Sequence, residues 1–167
     1  LRNAQVTLIA PTGTIGFMMD CDTLGIEPDF SLLKRKTLAG GGELSLVNRS
    51  VSAALSRLGY SPGDSKQIEA YIANTGHVVG APGLKPEHEC VFDCALPPSG
   101  HPHRRVSQMG HLRLMASAQP FLSGAISKTV NLPSTVTVDE VLQLYLQAWK
   151  LGLKSLAIYR DGSKSLQ

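Results

Sequence analysis

The 167-residue chain has few cysteines, few aromatic residues and no long apolar run. Its cysteines are too few for a disulfide framework and indicate a reducing compartment; they are Cys21, Cys90 and Cys94. No stretch reaches the roughly 18 apolar residues that a membrane span needs, and the first residues lack the basic and apolar regions of a signal peptide. The sequence therefore predicts a cytoplasmic protein with no membrane as partner.

An excess of one charge sign is missing as well. Sixteen Lys and Arg residues against thirteen Asp and Glu residues leave a formal net charge of +3, too small to indicate a nucleic-acid polymer as partner. The densest basic cluster is residues 101–105, which we interpret as a solvated loop because no aromatic residue separates its charges. An apolar content of 43% in 167 residues is enough for a domain with a sizeable core.

Apolar residues at helical spacing predict four helices. The first helix has one apolar face, made of Leu44, Val47, Val51, Ala54, Leu55 and Leu58. Ser61 and Thr137 are the predicted caps of the second and fourth helices, and the third helix runs over residues 107–118. The segment from residue 77 to residue 102 is rich in Gly and Pro and is predicted to be mostly loop with short helical pieces.

The end of the chain has the pattern strand, helix, strand, which is typical of a parallel crossover connection. The fold class is therefore α/β. Another strand pattern lies at residues 6–10, and the last one lies at residues 156–159. Neither has a predicted element beyond it, and the first residue is Leu1 rather than methionine. Because unpaired strand edges are unfavourable, we expect this chain to be a piece of a longer protein.

A turn of small, hydroxyl-bearing residues follows the first strand pattern. It consists of Pro11, Thr12, Gly13, Thr14 and Ile15. Such a turn can direct several backbone N–H groups into one concavity, which suits a phosphate or diphosphate. The motif lacks the spacing of a P-loop or of a dinucleotide-binding fingerprint, so an ordinary strand-to-helix turn is the alternative interpretation.

A metal site is the second candidate. His88, Cys90 and Cys94 lie close together in sequence, with His101 and His103 nearby. Thiolate and imidazole groups at such spacing can bind zinc. Structural zinc sites generally have two separated ligand pairs, however, and a packed pair of cysteines is the alternative interpretation.

Several blocks, in order along the chain, resemble the adenosylcobalamin-dependent (class II) ribonucleotide reductases. They include Pro-Thr-Gly-Thr-Ile-Gly at residues 11–16 and Gly-Ile-Glu-Pro-Asp-Phe at residues 25–30. The others are residues 1–5, 20–22, 38–42, 80–88, 91–95, 119–131 and 158–163. The resemblance implies that the chain is the carboxyl-terminal portion of a ten-stranded α/β barrel, incomplete as given, with a helical and loop-rich insertion around residues 44–118.

The resemblance also implies a function. The complete enzyme would reduce ribonucleotides to deoxyribonucleotides with adenosylcobalamin as cofactor, a cysteine thiyl radical that abstracts the 3′ hydrogen, and a thiol reductant such as thioredoxin. The turn would hold the substrate diphosphate through Pro11, Thr12, Gly13, Thr14 and Ile15. No residue of this chain is assigned to catalysis, to the cofactor or to a metal.

The resemblance further implies that this piece is inactive without the rest of the barrel in the same chain. The family's Asn-x-Cys-x-Glu loop, which carries the thiyl cysteine, is not in this sequence. Neither are the reducing cysteine pair and the cysteine tail. The alternative hypothesis is a small metal- or nucleotide-binding module that uses His88, Cys90 and Cys94 without radical chemistry.

Overall fold

A computed structural model of the chain describes residues 2–37 and 40–163, without the side chains of residues 36, 37, 43 and 44. The chain divides into two compact units. The first unit contains the residues up to Pro28 and those from Val106 onward, and the second unit is Asp29–Arg105. The predicted single domain over residues 1–167 and the predicted insertion around residues 44–118 stay predictions.

The described residues form helices and short strands in alternation. In chain order they are α1 (Gly13–Met18), β1 (Leu33–Thr37), β2 (Glu43–Val47), α2 (Ser50–Arg57), α3 (Pro62–Thr75), α4 (Gln108–Ala118), β3 (Thr129–Leu132), α5 (Val138–Lys150) and β4 (Ala157–Arg160). Two short 3-10 helices are Pro86–Phe92 and Gln119–Phe121. None of the described helices is long and apolar enough to cross a bilayer.

In the first unit, β3 and β4 pair in parallel with α5 as the crossover between them, as the sequence predicts. The register runs from Thr129 opposite Ala157 to Leu132 opposite Arg160. The predicted strand at residues 6–10 is reduced to one parallel bridge between Ile9 and Ile126. Ser127 N–H also donates to Ile9 O (2.9 Å), which aligns the segment before the turn with the segment before β3.

The core of the first unit lies between the parallel strands and two helices. Its buried members are Leu112, Val130, Leu132, Leu144 and Ala148. Leu144 and Ala148 are four residues apart on α5, so they lie on the same helix face. The described residues form no closed barrel; they contain two separate two-stranded sheets. The parallel pair of β3 and β4, which α5 connects, confirms the α/β part of the predicted fold.

The second unit contradicts one helix prediction. The helix face predicted to begin at Leu44 begins instead in α2 at Ser50, and Val47 lies in strand β2. Strands β1 and β2 form an antiparallel hairpin whose register pairs Leu33 with Val47. Glycines with positive φ angles precede β2 and allow the chain to reverse; they are Gly41 (83°) and Gly42 (98°). The side chain of Leu44 lies outside the described residues.

The predicted starts of the other three helices are confirmed. Ser61 Oγ accepts a hydrogen bond from Asp64 N–H (3.1 Å) at the start of α3, and Ser107 caps α4 in the same way. Thr137 and Glu140 form a full capping box at α5. The core of the second unit packs α2 and α3 together through apolar side chains that include Val51, Leu55, Ile68 and Ile72.

Candidate functional site

The turn at residues 11–15 joins the extended segment around Ile9 to helix α1. Thr12 has a left-handed backbone conformation with φ 54°, which β-branched residues rarely adopt. Its side chain supports this conformation because Thr12 Oγ1 accepts a hydrogen bond from Gly25 N–H (2.7 Å). Gly16 N–H donates to Thr12 O (2.7 Å) and closes the first turn of α1. Thr12 therefore fixes the shape of the turn.

The other turn residues leave an open face. Pro11 and Thr14 are exposed, and the Ile15 side chain is 57% exposed. A Cβ atom added at Gly13 would meet no atom within 4 Å. The first N–H groups of a helix have no acceptor within the helix, so this face offers backbone donors and the Thr14 hydroxyl to an anion. Helix α1 has only six residues, so these donors matter more than its dipole.

Gly25 brings the loop after α1 against the strand before the turn. Its φ of 56° is in the left-handed region, and a Cβ atom there would lie 2.6 Å from Ala10 O. Only glycine allows this approach without a shift of the backbone. Residues 10–12 and 25–27 are therefore held as neighbours.

A buried polar cluster fixes the same loop to the start of β3. We call Glu27, His111, Lys128 and Thr129 the Lys128 cluster. Glu27 Oε1 accepts from Thr129 N–H (2.6 Å), and Glu27 Oε2 accepts from Lys128 Nζ (2.9 Å). Lys128 Nζ also donates to His111 Nδ1 (2.6 Å) and to Thr129 O (3.2 Å). The whole cluster belongs to the first unit.

The Lys128 ammonium group has as many N–H donors as the cluster provides acceptors for it. Its side chain is 0% exposed, and an ammonium group has three N–H donors, which here meet three acceptors. His111 must be neutral to accept at Nδ1. Burial and, second, the Lys128 charge lower the pKa of His111 to about 4, which is consistent with that state. The Nε2 atom of His111 is buried without a partner among the described residues.

Sequence reasoning missed this cluster. A signal was nevertheless present, since side chains alternate in an extended segment and every second residue faces the same way. Ile126, Val130 and Leu132 are apolar, and Lys128 has the same parity; all four are at most 2% exposed. A lysine in such a register is predicted to point inward and to need buried acceptors.

The residues of the metal hypothesis do not form a site. His88 Nδ1 lies 2.7 Å from the Tyr60 hydroxyl, Cys90 is exposed, and Cys94 Sγ donates to a backbone carbonyl. Burial and, next, the charges of Asp29 and Asp93 raise the pKa of Cys94 to about 12, which disfavours the thiolate that a metal requires. Among the described residues, no group of three possible ligands could hold a metal ion.

The basic cluster at residues 101–105 is only partly a solvated loop, which corrects its interpretation. Arg104 Nη2 lies 3.2 Å from Asp93 Oδ1 and 3.7 Å from Glu89 Oε2, with the arginine side chain 26% exposed. Burial raises the pKa of Asp93, although Arg104 opposes this effect. Arg104 and Asp93 line a cavity of about 320 Å³ within the second unit.

The comparison with protein families decides the identity of the fold. A family model described as the ribonucleotide reductase barrel domain matches residues 1–159. The chain belongs to this family. The resemblance carried by the sequence blocks is thereby confirmed.

Curated ribonucleotide reductases match nearly the whole chain. It is 59% identical over 163 residues to a vitamin B12-dependent ribonucleotide reductase of Streptantibioticus cattleyicolor, covering 98% of this chain and 26% of the relative. A relative of the same name from Rhodopirellula baltica is 54% identical, covering 99% and 16%. A vitamin B12-dependent ribonucleoside-diphosphate reductase of Mycobacterium tuberculosis is 38% identical, covering 99% and 22%. The chain thus spans about a quarter or less of these relatives.

A solved ribonucleotide reductase has the same fold. The Actinobacillus ureae class Id ribonucleotide reductase alpha subunit superposes with a TM-score of 0.65 at 22% identity, covering 96% of this chain and 27% of that chain. At this identity the likeness concerns the fold alone. Both compact units are included in the match, because only 4% of the present chain is left out.

The cofactor named for the vitamin B12-dependent reductases does not fit the cavity of this chain. A corrin ring with its nucleotide arm is much larger than the 320 Å³ cavity of the second unit, which is lined mainly by apolar side chains and the Arg104 pair. This cavity is therefore not a corrin site. No residue of this chain is assigned to the cofactor.

Proposed function

We propose that this chain is the carboxyl-terminal barrel segment of an adenosylcobalamin-dependent ribonucleotide reductase, an oxidoreductase of deoxyribonucleotide synthesis. The observation that carries this proposal is the 54–59% identity, over nearly the whole chain, to relatives named vitamin B12-dependent ribonucleotide reductase. The same proposal places the enzyme in the cytoplasm, with the remainder of a ten-stranded barrel in the same polypeptide.

Within that enzyme, the turn at residues 11–15 would bind the substrate diphosphate. Three features support this role. The turn follows the carboxyl end of an extended segment that aligns in parallel with residue 126, and ligands of α/β folds generally bind at such strand ends. Its open face carries backbone donors, and Thr12 holds a rare backbone conformation that tends to occur at functional sites.

The remaining chemistry would come from outside this chain. Bound adenosylcobalamin would supply the initiating radical. Other segments of the barrel would carry the cysteine whose thiyl radical abstracts the 3′ hydrogen of the ribose. They would also carry the cysteine pair that reduces the substrate, and thioredoxin or another dithiol would be the external reductant. This chain's own part is to hold the phosphates, which fixes the position of the ribose relative to those groups.

The test is a turnover assay on the full-length protein that contains this chain. With a ribonucleoside diphosphate, adenosylcobalamin and a dithiol, we expect deoxyribonucleotide to form, and omission of either adenosylcobalamin or the dithiol to abolish product. Formation of product without the cobalamin, or no product in the complete mixture from correctly folded protein, would contradict the proposed function.

A further inference from the structure

The Lys128 cluster has an arrangement that core packing alone does not require. A buried ammonium group is costly unless acceptors satisfy all of its protons, and an apolar side chain would usually pack here at lower cost. Lys128 nevertheless lies at a position that faces inward like Ile126 and Val130, where an apolar residue is expected. Its acceptors come from three different segments: Glu27 from the loop after α1, His111 from α4, and Thr129 from β3.

This cluster connects to the turn through a short path. Glu27 is two residues from Gly25, whose N–H donates to Thr12 Oγ1 (2.7 Å). Gly25 also lies against Ala10 O, where no larger residue fits. On the other side, Ile9 pairs with Ile126, two residues before Lys128. The start of the turn is thus connected to the segment that carries Lys128 by two routes, one through Ile9 and one through Thr12, Gly25 and Glu27.

The two opposite charges of the cluster balance each other. Lys128 and Glu27 form an ion pair with the lysine fully buried and the glutamate side chain 21% exposed. Neutral His111 adds an acceptor and no charge. Removal of the lysine charge would leave the Glu27 carboxylate beside an apolar core, where Thr129 N–H would be its remaining donor within the cluster. Glu27 would then move toward solvent and carry Gly25 with it.

We propose that Lys128 is a positioning residue, which holds the turn at residues 11–15 in its phosphate-binding conformation through Glu27 and Gly25. The proposal rests on the proposed function of the turn. Lys128 does not touch the substrate; it sets the geometry of residues that do. Its loss should weaken substrate binding while the chemistry of bound substrate changes little.

The test compares four variants of the full-length enzyme: Lys128→Met, Glu27→Gln, the double variant, and Lys66→Met as control. Methionine keeps the apolar stem of lysine without its charge. Glutamine keeps an oxygen that accepts from Thr129 N–H while it removes the negative charge. Lys66 is an exposed lysine on α3 in the second unit, so its change to methionine removes a charge without disturbing the cluster.

Two readouts are measured on each variant. Hydrogen exchange follows the amides of Gly25 and Thr129, both of which donate to side-chain oxygens in this network. Asp64 N–H, which donates to the Ser61 hydroxyl in the second unit, serves as the reference amide. Steady-state kinetics with a ribonucleoside diphosphate give KM and kcat separately.

For Lys128→Met we expect about tenfold faster exchange at Gly25 and Thr129 and unchanged exchange at Asp64. KM should rise roughly fivefold or more while kcat changes less than about twofold, the pattern for loss of binding that is equal in the ground state and the transition state. The double variant should recover part of the affinity, because its buried carboxylate is gone as well. Lys66→Met should behave as wild type.

Unchanged exchange at Gly25 and Thr129 in Lys128→Met would overturn the proposal. A fall in kcat while KM stays unchanged would also overturn it. Faster exchange with both KM and kcat unchanged would support the positioning role and overturn the phosphate role of the turn instead, so the two failures are distinguishable. If Lys128→Met does not fold, Glu27→Gln decides by the same readouts, with faster exchange at Gly25 and a raised KM expected and wild-type values contradictory.

Discussion

At the scale of single residues, Thr12 has two opposing properties. A β-branched residue with a φ of 54° is strained by about 1–3 kcal/mol relative to ordinary backbone. The same residue uses its hydroxyl oxygen to accept from Gly25 N–H, which offsets part of that cost. The strain holds the following N–H groups in one orientation before any ligand arrives. Preorganised donors of this kind bind an anion with a smaller loss of conformational entropy.

His111 makes the first unit sensitive to acid. Burial and the Lys128 charge lower the pKa of His111 from 6.5 to about 4 in the folded protein. Between pH 4 and pH 6.5 the unfolded chain binds a proton at His111 that the folded chain does not bind. The free energy of unfolding therefore has its full value above pH 6.5 and falls as the pH decreases toward 4. We expect this group alone to remove about 2 kcal/mol of stability at pH 5.

The measurement is the melting temperature of the full-length enzyme between pH 7 and pH 4.5, compared with His111→Asn. Asparagine can present an oxygen to Lys128 at the place of Nδ1 but does not titrate. The melting temperature of the wild type should fall more steeply with decreasing pH than that of the variant. Parallel curves for the two proteins would contradict the assignment of a buried, neutral His111.

The turn and the Lys128 cluster differ in how far the sequence could predict them. Pro11 and Gly13 predict a turn at residues 11–15, because proline and glycine determine which backbone angles are allowed at their own positions. Glu27, His111 and Lys128 are separated by 84 and 17 residues, and no local rule joins them. Only the alternation around Lys128 indicated its burial, and the identity of its partners depended on the tertiary fold.

At the scale of elements, α5 owes its sharp start to Thr137. Thr137 Oγ1 accepts from Glu140 N–H (3.2 Å), and Glu140 returns a carboxylate oxygen to Thr137 N–H (2.7 Å). The bond from Thr137 N–H and, second, a bond from the Thr137 hydroxyl to the same carboxylate (3.0 Å) lower the pKa of Glu140. This contribution is therefore present at neutral pH and is lost as the pH falls through that lowered pKa. The helix connects β3 to β4, so its cap also supports the parallel pair.

Replacement of the cap tests this element. Thr137→Ala removes the side-chain acceptor and should lower the free energy of unfolding of the segment by about 1 kcal/mol. Thr137→Ser keeps the hydroxyl and serves as the matched control, with a much smaller effect. Hydrogen exchange at the first amides of α5 in the full-length enzyme measures both variants. Equal exchange in the alanine variant and the wild type would show that the cap does not stabilise α5.

Caps and crossover patterns made α3, α4 and α5 predictable, since the signals lie within each element. The β1–β2 hairpin was not predictable in the same way. Val47 and Val51 are four residues apart and match a helical period, although one lies in a strand and the other in a helix. A strand forms there because antiparallel pairing of Leu33 with Val47 supplies backbone hydrogen bonds. The spacing of apolar residues in the sequence does not reveal this pairing.

At the scale of the whole molecule, the chain spans 16–26% of the curated vitamin B12-dependent relatives described above. Large apolar side chains that remain exposed in the first unit include Phe17, Met18 and Trp149. The family assignment explains why the described residues contain two parallel strands and one further parallel bridge rather than a closed sheet. In the proposed function, barrel closure would depend on strands outside the described residues, so no local pattern in this sequence specifies it.

The turn at residues 11–15 is proposed to hold the substrate phosphates. Equilibrium binding of a ribonucleoside diphosphate to the full-length enzyme tests it, with Gly13→Asp against Gly63→Asp as matched control. Both glycines lie in the first turn of a helix and both have an ordinary backbone φ. A Cβ atom added at either glycine would have no close neighbour, the nearest being Ser61 Oγ at 3.7 Å from the Cβ of residue 63. An acid at either place is compatible with its helix.

Gly13→Asp places a negative charge where the phosphate would bind, so its dissociation constant should rise about tenfold or more, the scale of one charge-assisted contact. Gly63→Asp should change the dissociation constant by less than about twofold. Equal dissociation constants for Gly13→Asp and the wild type would contradict the assignment of the phosphate site to this turn.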